Sequence, residues 1–166
     1  MKNFLIVCAL GLLFAGASYA DKPIRFKAQL EGFDLTGAPV ATAATGQARV
    51  EVIDDGSALA FRVNIEDFDN LLMAHIHVAD TPVMVTDPSG PPVYWFNGGP
   101  PPGATLSETL NGRLAEGYIF TPGQLDSPRA DVTTVEELIA AIAEGRASVI
   151  IHSSDFPRGE LRGTLE

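Results

Sequence analysis

Apolar and polar residues alternate along most of this chain, with the period of half-buried strands rather than of helices. Ile24, Phe26, Ala28 and Leu30 alternate with Arg25, Lys27 and Gln29. Ala48, Val50 and Val52 alternate with Gln47, Arg49 and Glu51, and Leu59, Phe61, Val63 and Ile65 with Arg62, Asn64 and Glu66. Between these two runs Asp54-Asp55-Gly56 predicts a hairpin turn. Further strands are expected over 71–78, 82–85, 104–110, 114–120, 147–152 and 160–165. Asn111-Gly112 marks a second hairpin, and the last two strands close the chain as a third.

Two segments interrupt the alternation. In residues 133–145, Val135, Leu138, Ile139 and Ile142 form one helical stripe, and a Thr three residues ahead of a Glu (Thr133 and Glu136, or Thr134 and Glu137) makes a capping box. Gly145 suits the residue just past the helix end. In residues 87–103, six prolines and four glycines predict a long loop rather than a strand or helix. The loop carries Tyr94, Trp95 and Phe96, which either fold back over the core or present an aromatic surface to a partner. With no repeat and no linker, the pattern predicts one all-β domain over 21–166. The expected architecture is an antiparallel β-sandwich or flattened barrel, Greek-key-like, with one short helix near the C-terminus.

Residues 1–20 stand apart from that domain. Lys2, the apolar run of 14 residues from Phe4 to Ala17, and Ser18-Tyr19-Ala20 read as a signal peptide cleaved before Asp21. The run is shorter than the ~20 residues that span a bilayer, and no transmembrane segment is expected after cleavage. An exported protein, periplasmic or extracellular, follows. Cleavage removes Cys8, the only cysteine, and with it any disulfide, thiolate ligand or cysteine nucleophile. The chain is acidic: its net charge of −10 becomes −11 without Lys2, which argues against nucleic acid and anionic membrane surfaces as partners.

Chemistry concentrates in three histidines. In Ala74-His75-Ile76-His77-Val78 the two imidazoles share one strand face, and Ala74, Ile76 and Val78 the other. His152 ends a second strand-like run. Two readings stand: a polar strand face with an unrelated third histidine, or one three-imidazole site for a transition metal. With no thiolate present, copper(II) or zinc(II) would be the ion, held below full coordination with room for water. Because ligand imidazoles must be deprotonated, binding would weaken below about pH 6.

The last strand places Glu160 and Arg162 on one face. A hairpin that brought Glu160 to His152 would let the carboxylate orient the imidazole; otherwise the pair is a solvated, salt-bridged face of little energetic value. His152-Ser153-Ser154-Asp155 contains the residue types of a hydrolytic triad, but adjacent residues seldom supply triad geometry. Asp67-Phe68-Asp69-Asn70 lacks the glycine and terminal glutamate of a calcium loop. No catalytic residue is assigned, and binding is expected rather than enzymatic turnover.

These residues carry a resemblance. Gly32, Pro39 and Thr45-Gly46, the Ala74-His75-Ile76-His77 motif, the helix ending Ala141-Ile142-Ala143-Glu144-Gly145, Ile151-His152-Ser153 and Pro157-Arg158-Gly159-Glu160-Leu161-Arg162-Gly163 resemble, in order and spacing, the CHRD (chordin-type) domain. The chain departs from that pattern at Val78-Ala79-Asp80 and in the proline-rich aromatic loop. The resemblance implies a secreted β-rich module, binding or structural, acting on a protein or envelope partner, with no established activity to carry over. The His-x-His strand is more weakly similar to copper/zinc superoxide dismutases. That likeness would make His75 and His77 copper ligands, with His152 as a later ligand, but a histidine bridging two metals, a zinc loop and the disulfide are all missing.

Overall fold

A computed structural model of the chain describes residues 23–97, 106 and 108–166, so the signal peptide expected over 1–20 lies outside the described residues. The elements, in chain order, are β1 (Arg25–Leu30), β2 (Thr45–Ile53), β3 (Ala58–Phe68), β4 (Leu71–Val78), β5 (Pro92–Asn97), β6 (Leu110–Ile119), α1 (Val135–Ala143), β7 (Ala147–Ser153) and β8 (Leu161–Thr164). They form two four-stranded antiparallel sheets, ordered β1-β2-β3-β6 and β5-β4-β7-β8, so the protein is a sandwich and not a closed barrel.

Alternation explains most of the layer structure. The inward positions of β2 and β3 pair across the first sheet as Ala48↔Val63, Val50↔Phe61 and Gly46↔Ile65. Ala74, Ile76 and Val78 of β4 meet Ile151, Val149 and Ala147 of β7 in the second. Phe61 joins the layers, its ring centroid 5.4 Å from that of Tyr94 and 4.9 Å from that of Phe96. Opposite Phe61, Gly117 leaves room for the ring, since a Cβ there would lie 2.9 Å from it. Asn70, at φ +55°, turns the chain from β3 in one sheet to β4 in the other. Thr134 caps α1 by accepting from the Glu137 amide at 3.2 Å, and Glu137 returns a carboxylate to the Thr134 amide at 2.9 Å. Leu138, Ala141 and Ile142 carry the helix into the core.

Several expectations from the pattern fail, for physical reasons. Residues 92–97 are a strand despite the prolines, because β5 lies at a sheet edge, where a missing N–H costs no ladder bond. Of the two readings of the aromatic triplet, folding back over the core holds for Tyr94, which is buried, and for Phe96, half-buried against the core, while Trp95 is half-buried on the other face of the strand. Asn111-Gly112 is not a hairpin: it lies within β6, where Gly112 at φ +97° accompanies register shifts against β3. Residues 82–85 form no strand; they begin a strap over the second sheet, with the Val83 amide bonded to the Gly145 carbonyl at 3.0 Å. Of the strand expected over 104–110, residues 104, 105 and 107 lie outside the described residues, and Leu106 bridges to Leu71.

Candidate metal centre

The outer face of the second sheet is where the strand pattern and the burial pattern part company. His75 and His77 point away from the core on β4, yet they are only 2% and 5% exposed, and His152 of β7 is 1% exposed. The register sets Ile150 opposite His75 and Ser148 opposite His77, with His152 opposite Met73 beside a bulge. On the other side Trp95 of β5 lies opposite His75, and Arg162 of β8 lies opposite Ile150. Side chains with polar atoms thus gather on a face largely closed to solvent.

The strap over 79–91 and the turn before β8 provide the cover. His77 Nδ1 donates to the Gly90 carbonyl at 2.7 Å, and His152 Nδ1 donates to the Pro157 carbonyl at 3.1 Å. Arg162 donates to the carbonyls of Asp87 and Met84, and Thr164 donates to Val83 at 3.2 Å. The strap approaches β4 so closely at Gly90 that a Cβ there would lie 1.7 Å from the Val78 carbonyl oxygen.

These two carbonyl contacts decide the chemistry of the rings. A carbonyl only accepts, so His77 and His152 hold their protons on Nδ1 and turn the Nε2 lone pair inward. His75 stands between them, with ring centroids 4.7 Å from His77 and 4.6 Å from His152. Its Nδ1 lies 2.7 Å from His77 Nε2, and its own Nε2 has no partner among the described residues. One ligating nitrogen from each ring falls within 4.8 Å of the others. Nitrogens bound at ~2.0–2.1 Å around a tetrahedral ion lie roughly 3.3 Å apart, so small ring rotations would close the set on one ion.

Burial holds all three rings neutral. Desolvation lowers His75 to about 2, helped by the neighbouring His77 and His152. Desolvation also lowers His77 to about 4, with Arg162 and His152 adding repulsion against the Gly90 hydrogen bond, and lowers His152 to about 4. Neutral imidazole is the form that binds metal.

The remaining expected site residues fall elsewhere. Glu160 is buried but accepts from Thr42 Oγ1 at 2.6 Å, and the Pro157 carbonyl holds His152 in its place. Neither Glu160 nor Arg162 forms a solvated ion pair: both are buried, and Arg162 anchors the strap. Of the aromatic triplet, Trp95 faces the histidines, its ring centroid 4.4 Å from that of His75 in an edge contact, while Tyr94 and Phe96 face the core. Asp155 bonds Asn70 at 2.9 Å, and Ser153 accepts from the Phe156 amide, so no triad forms around His152 among the described residues. Sequence reasoning could not find the two orienting carbonyls, which are backbone atoms and carry no residue signature.

Five buried polar atoms lack a hydrogen-bond partner among the described residues: His75 Nε2, His152 Nε2, Trp95 Nε1, Ser148 Oγ and Arg162 Nε. All five belong to this one face. Each such orphan costs about 1–3 kcal/mol. Buried polar groups of this kind call for partners, and an ion or ordered water on this face would supply them.

No curated protein and no solved structure matches the chain. A family model, the CHRD domain, matches residues 26–165, which takes in all the strands but for the first residue of β1, the helix and all three histidines. The chain belongs to the CHRD domain family.

Proposed function

We propose that this protein is an exported CHRD module that holds a transition-metal ion, copper or zinc, on His75, His77 and His152. The observation that carries the reading is the tautomer pattern. Two carbonyls accept hydrogen bonds from Nδ1 of His77 and His152 and so leave their Nε2 lone pairs unprotonated on either side of His75. One ligand nitrogen from each ring lies within 4.8 Å of the others. Backbone partners of this kind orient metal-bound imidazoles. Binding would replace the proton that His75 shares with His77, so His75 must turn its ring or carry its proton on the other nitrogen. An all-imidazole set suits both ions, and affinity order favours copper(II) over zinc(II).

Burial of every ligand supports retention of the ion over turnover of a substrate. The charge of Arg162, felt at His77, opposes a bare dication, and a water ligand deprotonated to hydroxide would offset it. Export is supported by Lys2, the apolar run to Ala17 and the small residues before Asp21. A partner at the cell envelope is the wider role that the family suggests, and the ion would then stabilise the module that meets it.

The test is elemental analysis of the protein recovered from the exported fraction of its own cells, without chelator. About one copper or zinc per chain supports the proposal. Protein that stays in the cytoplasm with its leader attached would refute export, and metal-free protein that takes up neither ion would refute the site.

A further inference from the structure

The outer face of the first sheet carries an arrangement that folding alone does not favour. Lys27 of β1, Arg49 of β2 and Arg62 of β3 stand directly opposite one another across three strands. All three are exposed. Like charges in directly opposed positions destabilise a sheet. Glu116 of β6 ends the row on one side, and Glu166, whose backbone pairs with that of Lys27, on the other.

Neighbouring carboxylates do not relieve the centre of the row. Glu116 is shared between Arg62 and Arg113, and Glu51 is held by Arg25 through bonds of 3.0 and 3.2 Å. Arg49 bonds only the neutral Gln47, at 2.9 Å, and Lys27 has no ion-pair partner among the described residues. Lys27 and Arg49 therefore stand side by side with no ion pair of their own among the described residues, in a chain whose net charge is −10. Ala60, the small residue in the adjacent row, floors a groove of about 640 Å³ between these side chains. Beside Ala60 stands Tyr118, 60% exposed, and beyond the cations lies an amide row of Gln29, Gln47 and Asn64.

We propose that this face binds an acidic polysaccharide, a linear glycan bearing carboxylates at regular intervals. Cations on neighbouring strands are spaced by the interstrand step of about 4.8 Å, comparable with the length of one sugar ring in a linear chain. Carboxylates would meet Lys27 and Arg49, the amide row offers donors and acceptors to hydroxyls, and the phenol ring of Tyr118 offers an apolar face to sugar C–H groups. An acidic polypeptide would use the cations but has no need of Tyr118, and a second copy of this chain would give self-association. The face is on the opposite sheet from the histidines and does not depend on the metal.

The experiment is calorimetric titration of the 21–166 protein with polygalacturonate, dextran and polyglutamate, repeated for Lys27→Gln/Arg49→Gln and for Tyr118→Ala. Circular dichroism checks the fold of each variant, and light scattering reads the mass. Expected are binding to polygalacturonate that weakens with salt, none to dextran, and at least a tenfold loss in the double variant. Tyr118→Ala should weaken polygalacturonate binding and leave any polyglutamate binding unchanged. No binding at low salt, equal binding by the double variant, tighter binding to polyglutamate, or a dimer that the double variant dissolves would each overturn the proposal.

Discussion

His77 donates from Nδ1 to the carbonyl of Gly90 at 2.7 Å, and that one bond faces its Nε2 lone pair toward His75. A backbone atom on a strap thus sets the tautomer of a side chain on the sheet beneath. The strap can come this close only because residue 90 has no Cβ. Its own attachment runs through Arg162, Thr164 and the Ser89 amide, which bonds Leu35 at 2.8 Å.

Gly90→Ala should therefore damage two properties together. The new methyl would overlap the Val78 carbonyl, displacing the strap and freeing His77 to rotate. A stability loss on the order of 2 kcal/mol or more is expected, with a loss of zinc affinity of at least tenfold. Urea denaturation and competitive zinc titration of the variant check both, and unchanged affinity would show that the strap does not orient His77.

Stability of the metal-free protein should fall as the solution is acidified. Unfolded imidazoles titrate near 6.5, whereas His77 and His152 in the fold are held at about 4 and His75 at about 2. Between those values the unfolded chain binds more protons, so stability present above pH 6.5 is lost as pH falls toward 4. The slope approaches about 1.4 kcal/mol per pH unit for each histidine in that window. Urea midpoints in chelator from about pH 7 to about pH 4.5 measure it, and a midpoint independent of pH would contradict the buried neutral rings. Metal should also survive below the pH of about 6 expected for ordinary imidazoles, since protons compete poorly for these nitrogens.

Trp95 should report the site optically. Its indole nitrogen is buried, its ring contacts His75 edge-on at 4.4 Å and the residue as a whole is half-buried, so its emission should be blue-shifted from that of free indole and only partly quenched by iodide. Stoichiometric copper(II) should quench it, and His75→Ala should abolish that quenching at equal copper. A red-shifted Trp95 fully quenched by iodide would instead restore the exposed aromatic surface.

The helix cap gives a control unconnected with the metal. Thr134→Ala removes the hydroxyl that accepts from the Glu137 amide, at an expected cost of about 1 kcal/mol. Denaturation should record that loss while metal affinity stays unchanged.

How much of this was legible in the sequence differs by residue. Alternation located β1 to β4, β7 and β8, and the Thr134–Glu137 box located α1, because each signal is local. The shared face of His75 and His77 follows from the strand period alone. Proline content concealed β5, since its tolerance at a sheet edge depends on which strands lie beside it. The Asn111-Gly112 signal misled in the same way, for a glycine at positive φ serves an irregular strand as well as a turn. Glu160 bonds Thr42, 118 residues away, and the carbonyls of Gly90 and Pro157 belong to no motif. Contacts of this kind are set by tertiary packing, and no local pattern encodes them.

Calorimetric titration of the 21–166 protein with copper(II) and zinc(II), alongside His75→Ala, His77→Ala and His152→Ala, tests the central claim most directly. The expected result is one ion per chain in the wild type, with stoichiometric binding lost in all three variants while each retains the β-dominated circular dichroism of the fold. Wild-type binding no tighter than that of surface histidines, or unchanged binding by His152→Ala, would contradict a shared three-histidine site.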